Sequence, residues 1–187
     1  MEETRRTKTA PSETPLDDFS QCHVGILSHL NQFARLPALL EPAAEARRIA
    51  SEMLRFFRDA VFAHHAEEEE ELFRAVLASA RAGDERTRVQ EIVDRLTWEH
   101  REIERTWRKL EPALKQVAHG RDAELDGEAV AALVRSYATH AAYEEDCFLP
   151  LSQEILGRDS KHMAALGLAL HMRHALPEAL ARYGGRL

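Results

Sequence analysis

Four histidines stand where a helical apolar stripe calls for a hydrophobic side chain. Phe19, His23, Ile26, Leu30 and Phe33 advance in steps of four and three, the spacing of one helix face. Similar spacing joins Leu54, Phe57, Val61, His64, Glu68 and Leu72, then Val89, Val93, Leu96, His100, Ile103, Trp107, Leu110 and Leu114. A last stripe reads Val130, Leu133, Tyr137, His140, Glu144, Cys147 and Leu151. Each stripe carries one imidazole, and two of them add a carboxylate four residues on. Side chains at i and i+4 share a helix face, so each His-Glu pair aims at one point. A buried carboxylate without a partner costs several kcal/mol or takes up a proton. Six polar side chains planted in apolar seams therefore ask for a cation where they meet.

The punctuation of the chain sets the helices. Pro37 is expected to end or bend the first, and Pro42 suits the first turn of the second. Gly83 closes the second, with Asp84 able to cap the third; Gly120 ends the third, and Asp126-Gly127 precede the fourth. Pro150 is expected to kink the fourth near its end. A shorter fifth helix is predicted over about 160–174, interrupted by Pro177. No alternating runs predict strands. Four long helices with short connections predict an all-α fold, an antiparallel up-down-up-down four-helix bundle with an additional short C-terminal helix. Residues 1–15 read as a disordered tail, 16–155 as the bundle and 156–187 as a C-terminal helical extension.

Charge narrows the partners. With 32 acidic against 25 basic residues, the net charge of -7 argues against a nucleic-acid or anionic-membrane surface, and Arg5, Arg6 and Lys8 are too few to reverse it. Two cysteines, Cys22 and Cys147, are too few for a disulfide framework, which predicts a reduced, cytoplasmic setting. The most apolar uncharged run, 163–172, falls far short of the ~20 residues of a bilayer span.

Five His-x-x-x-Glu pairs occur, but the pair at His65 shadows the one at His64, and Pro177 breaks the pair at His174. The weight rests on coincidence with the apolar stripes. Imidazole and carboxylate without a thiolate motif suit iron or manganese, and less specifically zinc. Six or more donors exceed one tetrahedral zinc site and fit two ions bridged by Glu68 and Glu144. Two iron ions are the best reading; manganese and zinc fit less well. The candidate ligands are His23, His64, Glu68, His100, Glu104, His140 and Glu144, with Glu104 lying just beside the stripe through Ile103. Its other reading is an outer or surface acid. His65, Glu67, Glu69, Glu70 and Glu71 read as a solvated helix face, or more sharply as a route for cations. Tyr137 reads as a packing residue able to hydrogen-bond the site, Cys22 and Cys147 as small hydrophobes, His29 as peripheral, and His171 and His174 as an exposed helix end.

The layout His23, His64-x-x-x-Glu68, His100 and His140-x-x-x-Glu144 resembles the hemerythrin-like (HHE cation-binding) domain over about residues 16–155. The flanks HAEEEEELFR from His65 and HAAYEEDCFLP from His140 agree with that family's pattern. The resemblance implies a four-helix bundle around a carboxylate-bridged, non-haem di-iron centre. Oxygen-carrying hemerythrins have a second histidine where this chain has Glu104, and a His-x-x-x-x-Asp whose spacing here reaches Glu145. That departure argues against simple reversible oxygen carriage. It leaves a sensor or binder of oxygen, nitric oxide or peroxide, an oxidoreductase acting on peroxide or nitric oxide, or an iron storage, donation or scavenging protein.

Overall fold

A computed structural model describes residues 15–158, with side chains from residue 22 onward. The tail and the fifth helix expected from the sequence, with His171 and His174, lie outside the described residues. Among the described residues every regular element is helical. None of these helices is long and apolar enough to cross a membrane.

The chain divides after Glu45 into two compact units. The first contains α1 (Pro15–Phe33) and the start of α2 (Leu36–Phe56). Ala34 and Arg35 make the break, closed by Ala34 N–H to Leu30 O at 2.9 Å and Arg35 N–H to Gln32 O at 3.0 Å. Pro37 therefore does not end α1. It sits in the first turn of α2, where a missing N–H costs nothing, and Pro42 lies inside the helix. Taken by itself, this unit leaves Ile26, Leu30 and Phe33 exposed.

The second unit is built on three rods. The first begins in α2 and continues through a π-helical turn (Phe57–Val61), α3 (Phe62–Glu67), a second π turn (Glu68–Leu72) and α4 (Phe73–Ser79). The second rod is α5 (Asp84–Ala118). The third is α6 (Gly127–Tyr143), a π turn (Glu144–Phe148) and α7 (Leu149–Leu156). Asp126 caps α6, its carboxylate accepting from the N–H groups of Glu128 and Ala129, each at 3.0 Å. The start of α5 departs from expectation. Gly83, at φ 100, is the N-cap, and Asp84 makes no capping bond. Glu85 instead accepts from Arg81 N–H at 2.7 Å and from both guanidinium nitrogens of Arg158 at 2.8 Å. These bonds tie the end of α7 to the start of α5 and hold the Glu85 carboxyl at about 2.

Two apolar clusters fill the unit. One joins Leu72, Phe73 and Val76 with Val89, Val93 and Leu96 of α5 and with Phe148, Ile155 and Leu156. The other joins Phe57 and Val61 with Ile103, Trp107 and Leu110 of α5 and with Leu133 of α6. The outer rods run from the second cluster to the first, and α5 runs the other way. All eight residues of the predicted α5 stripe are buried.

The outer rods deviate where their π turns fall. A π turn bonds i to i+5 and so admits one extra residue, rotating everything beyond it. On the first rod the buried face reads Phe57, Val61, His65, Glu68, Leu72 and Val76. His65 is thus buried, against the solvated face expected of it, while the His64 side chain stays 30% exposed. On the third rod the face continues His140, Glu144, Phe148 and Ser152, so Phe148 takes the core position expected for Cys147. Cys147 is only half-buried. Pro150 falls in the first turn of α7, just past that π turn, and the rod continues through it.

Candidate metal centre

Between the two apolar clusters lies a polar layer. His65, Glu68, His100 and His140 are each 2% exposed or less, and Glu144 is buried beside them. The imidazoles of His65, His100 and His140 converge so that one ring nitrogen from each lies within 4.8 Å of the others. His64, Glu68 and Glu144 form a second group by the same measure. The sequence fixes both groups through register: α5 delivers His100, the outer rods deliver the remaining donors, and a π turn begins at Glu68 and again at Glu144.

Glu68 reaches both groups. Its Oε1 lies 3.2 Å from His64 Nε2 and its Oε2 lies 3.3 Å from His100 Nε2. The His65 and His100 rings stack with centroids 3.9 Å apart, and His140 meets His100 edge-on at 4.7 Å.

Outside the layer, each of the three clustered imidazoles has a carboxylate on Nδ1. Glu69 Oε1 lies 2.9 Å from His100, Glu99 Oε2 lies 3.1 Å from His140, and Glu104 Oε1 lies 3.4 Å from His65. Arginines hold these carboxylates in turn: Arg101 on Glu69 and Glu104, Arg108 on Glu104, and Arg95 on Glu99. A carboxylate at Nδ1 places the ring proton there and leaves the Nε2 lone pair facing inward. The inward atoms accordingly find no donor. His65 Nε2, His100 Nε2, His140 Nε2 and both oxygens of Glu68 are buried without a hydrogen bond.

The electrostatics agree. Burial, with the nearby His100 and His64, pushes the His65 imidazole down to about 3. Burial and His100 also lower His140 against the pull of Glu99. Burial pulls the Glu68 carboxyl upward, but the His100 and His64 imidazoles outweigh it and hold it below the usual range. His65 and His140 are thus neutral and Glu68 ionised at neutral pH, the protonation states in which such groups ligate metals. Neutral His65 and His140 rings beside an ionised, buried Glu68 leave negative charge and lone pairs in the layer that suit a cation. Tyr137 borders the layer, its ring 6.0 Å from His140 and 6.3 Å from His65. Burial, with Glu68 and Glu144, raises its phenol, which stays protonated.

Of the residues expected from the sequence, the structure brings together His64, Glu68, His100, His140 and Glu144. Glu104 lies outside both groups, on the outer edge of His65. His23 lies on α1, in the first unit. His65 was missed. The signal was present, since the run Phe57, Val61, His65 advances in steps of four, but two adjacent histidines offered two registers.

No curated protein and no solved structure matches the chain. A family model does: the hemerythrin HHE cation binding domain matches residues 14–152. That span holds both donor groups and the carboxylates and arginines behind them, and the chain belongs to the hemerythrin HHE cation-binding domain family.

Proposed function

We propose that the polar layer holds two iron ions and that the protein binds or redox-processes a small ligand such as oxygen, nitric oxide or peroxide. His65, His100 and His140 would hold one ion, and His64, Glu68 and Glu144 the other. Glu68 would be shared between the two groups, since its two oxygens face them separately. Glu144, the matching carboxylate of the third rod, would be the second shared carboxylate. His23 stays in the proposed donor set on sequence grounds alone. The observation that carries the reading is the set of five buried inward atoms without a hydrogen-bond partner. Imidazole and carboxylate donors with no cysteine in either group favour iron over a thiolate-bound metal.

When bound, the ion pair would supply open coordination positions and one-electron chemistry. The chain's own residues set the surroundings. The two apolar clusters flank the layer, and the low-polarity surroundings of its buried donors strengthen charge interactions there. The outer carboxylates fix each imidazole, and the protonated Tyr137 phenol is a hydrogen-bond donor at the border of the layer. Free thiols at Cys22 and Cys147 fit a reducing cytoplasm, where ferrous iron is available.

The test is to load the protein with ferrous iron without air and add oxygen, nitric oxide or peroxide in turn. A reversible, stoichiometric spectral change supports binding or sensing, and repeated turnover supports an oxidoreductase. Uptake well beyond two ions per chain, or ready release to a chelator without any ligand response, would replace this reading with iron storage or donation.

A further inference from the structure

We infer that Arg101 positions two of the inward-facing imidazoles at once, by clamping the outer carboxylates that hold them. This rests on the reading that the Nε2 atoms of His65 and His100 face a metal ion. Arg101 follows His100 on α5, and its guanidinium forks. Nη2 binds Glu69 Oε2, and Nη1 lies 3.2 Å from Glu104 Oε1. The other oxygen of Glu69 accepts a hydrogen bond from His100 Nδ1 at 2.9 Å. Glu104 Oε1 faces His65 Nδ1 at 3.4 Å. Two rings on different rods, stacked 3.9 Å apart, are thereby referred to one planar cation.

The third imidazole is independent. Glu99, on His140, is held by Arg95 at 2.8 Å, and Arg95 itself lies 3.5 Å over the Tyr143 ring. Among the described residues Arg101 makes no such ring contact and its bonds run only to Glu69 and Glu104; its side chain is 49% exposed. Its removal empties no core volume, so the fold should stand. What it supplies is geometry: the rigid fork fixes the distance between two carboxylates, which a lysine ammonium on a flexible stem does not. Glu104 has a second anchor in Arg108 at 3.3 Å, so the Glu69–His100 arm depends on Arg101 more heavily.

The experiment compares wild type, R101Q, R101K and R95Q. In the metal-free protein, imidazole nitrogen resonances report which ring nitrogen carries the proton. R101Q should move His100 most, His65 less and His140 least, and R95Q should move His140 most. After loading with ferrous iron, transfer to a chelator should quicken by about 10–100-fold in R101Q, the usual effect of losing an outer partner. R101K should recover at most part of that loss. Unchanged His65 and His100 resonances with wild-type release from R101Q would overturn the assignment, as would full recovery by R101K. If wild type takes up no iron while the resonances respond as described, the clamp stands and the metal reading fails.

Discussion

Replacing Glu68 with leucine should stabilise the metal-free protein and destabilise the loaded one. Both Glu68 oxygens are buried and lack a hydrogen bond, and the residue is only 2% exposed. An unsatisfied buried polar group costs about 1–3 kcal/mol, more when charged. Exchanging a buried ionic group for a hydrophobic one of similar volume is often neutral or stabilising by ~1–4 kcal/mol. Leucine is close to glutamate in volume and would lie between the two apolar clusters, so about 2 kcal/mol is expected for metal-free E68L. For a chain of this size each 1 kcal/mol moves Tm by roughly 2–4 °C, which makes the rise about 4–8 °C. With ferrous iron about 1,000-fold above its Kd, wild type gains ~4 kcal/mol by mass action. E68L, lacking the bridge, gains little of that, and the order of the two proteins reverses. Urea unfolding and thermal melts with chelator and with excess ferrous iron read both signs. A metal-free E68L that is less stable than wild type by about 1 kcal/mol or more would refute the reasoning, because Glu68 would then have been satisfied without a metal.

H140A should lose at least one ion per chain by elemental analysis while the metal-free fold persists; unchanged metal content would remove His140 from the ligands. F148A should cost about 3–5 kcal/mol in urea unfolding, since Phe148 is fully buried and meets Phe73 edge-on at 5.0 Å. A loss within the error of the measurement would return the core position to Cys147. The His65 imidazole, ordinarily near 6.5, is held at about 3 in the fold. Between those values the unfolded chain binds a proton that the folded chain does not, so this group lowers metal-free stability as pH falls from about 6.5 toward 3. Urea midpoints measured across that range should fall less steeply in H65F; an equal slope would contradict the burial of His65.

The α5 stripe was legible because nothing interrupts its winding. Val89 to Leu114 keeps the ordinary helical period for its whole length, and His100 falls on it. The outer rods were legible in part: Glu68 and Leu72 lie past the first π turn and are buried as expected, whereas His64 and Cys147 gave way to their neighbours. A sequence read at 3.6 residues per turn puts His64 inward and His65 outward, and Cys147 inward in place of Phe148. Each π turn rotates the next residues by one place, and no local propensity marks the turn. The outer shell was harder still. Glu69 reads as part of a solvated helix face and Glu104 as a candidate ligand, and the partnership of Glu69, Glu99 and Glu104 with particular imidazoles depends on how the rods dock, which spacing along one helix does not encode. Glu104 stands at the position where oxygen-carrying hemerythrins have a histidine, and here it braces His65 from behind.

Counting the iron bound per chain after anaerobic dialysis against ferrous iron tests the central claim most directly. Wild type should retain two ions, and H65A should retain fewer, since His65 is one of three inward imidazoles without a hydrogen-bond partner. Less than about one ion on wild type after saturating exposure, or full retention by H65A, would contradict the account.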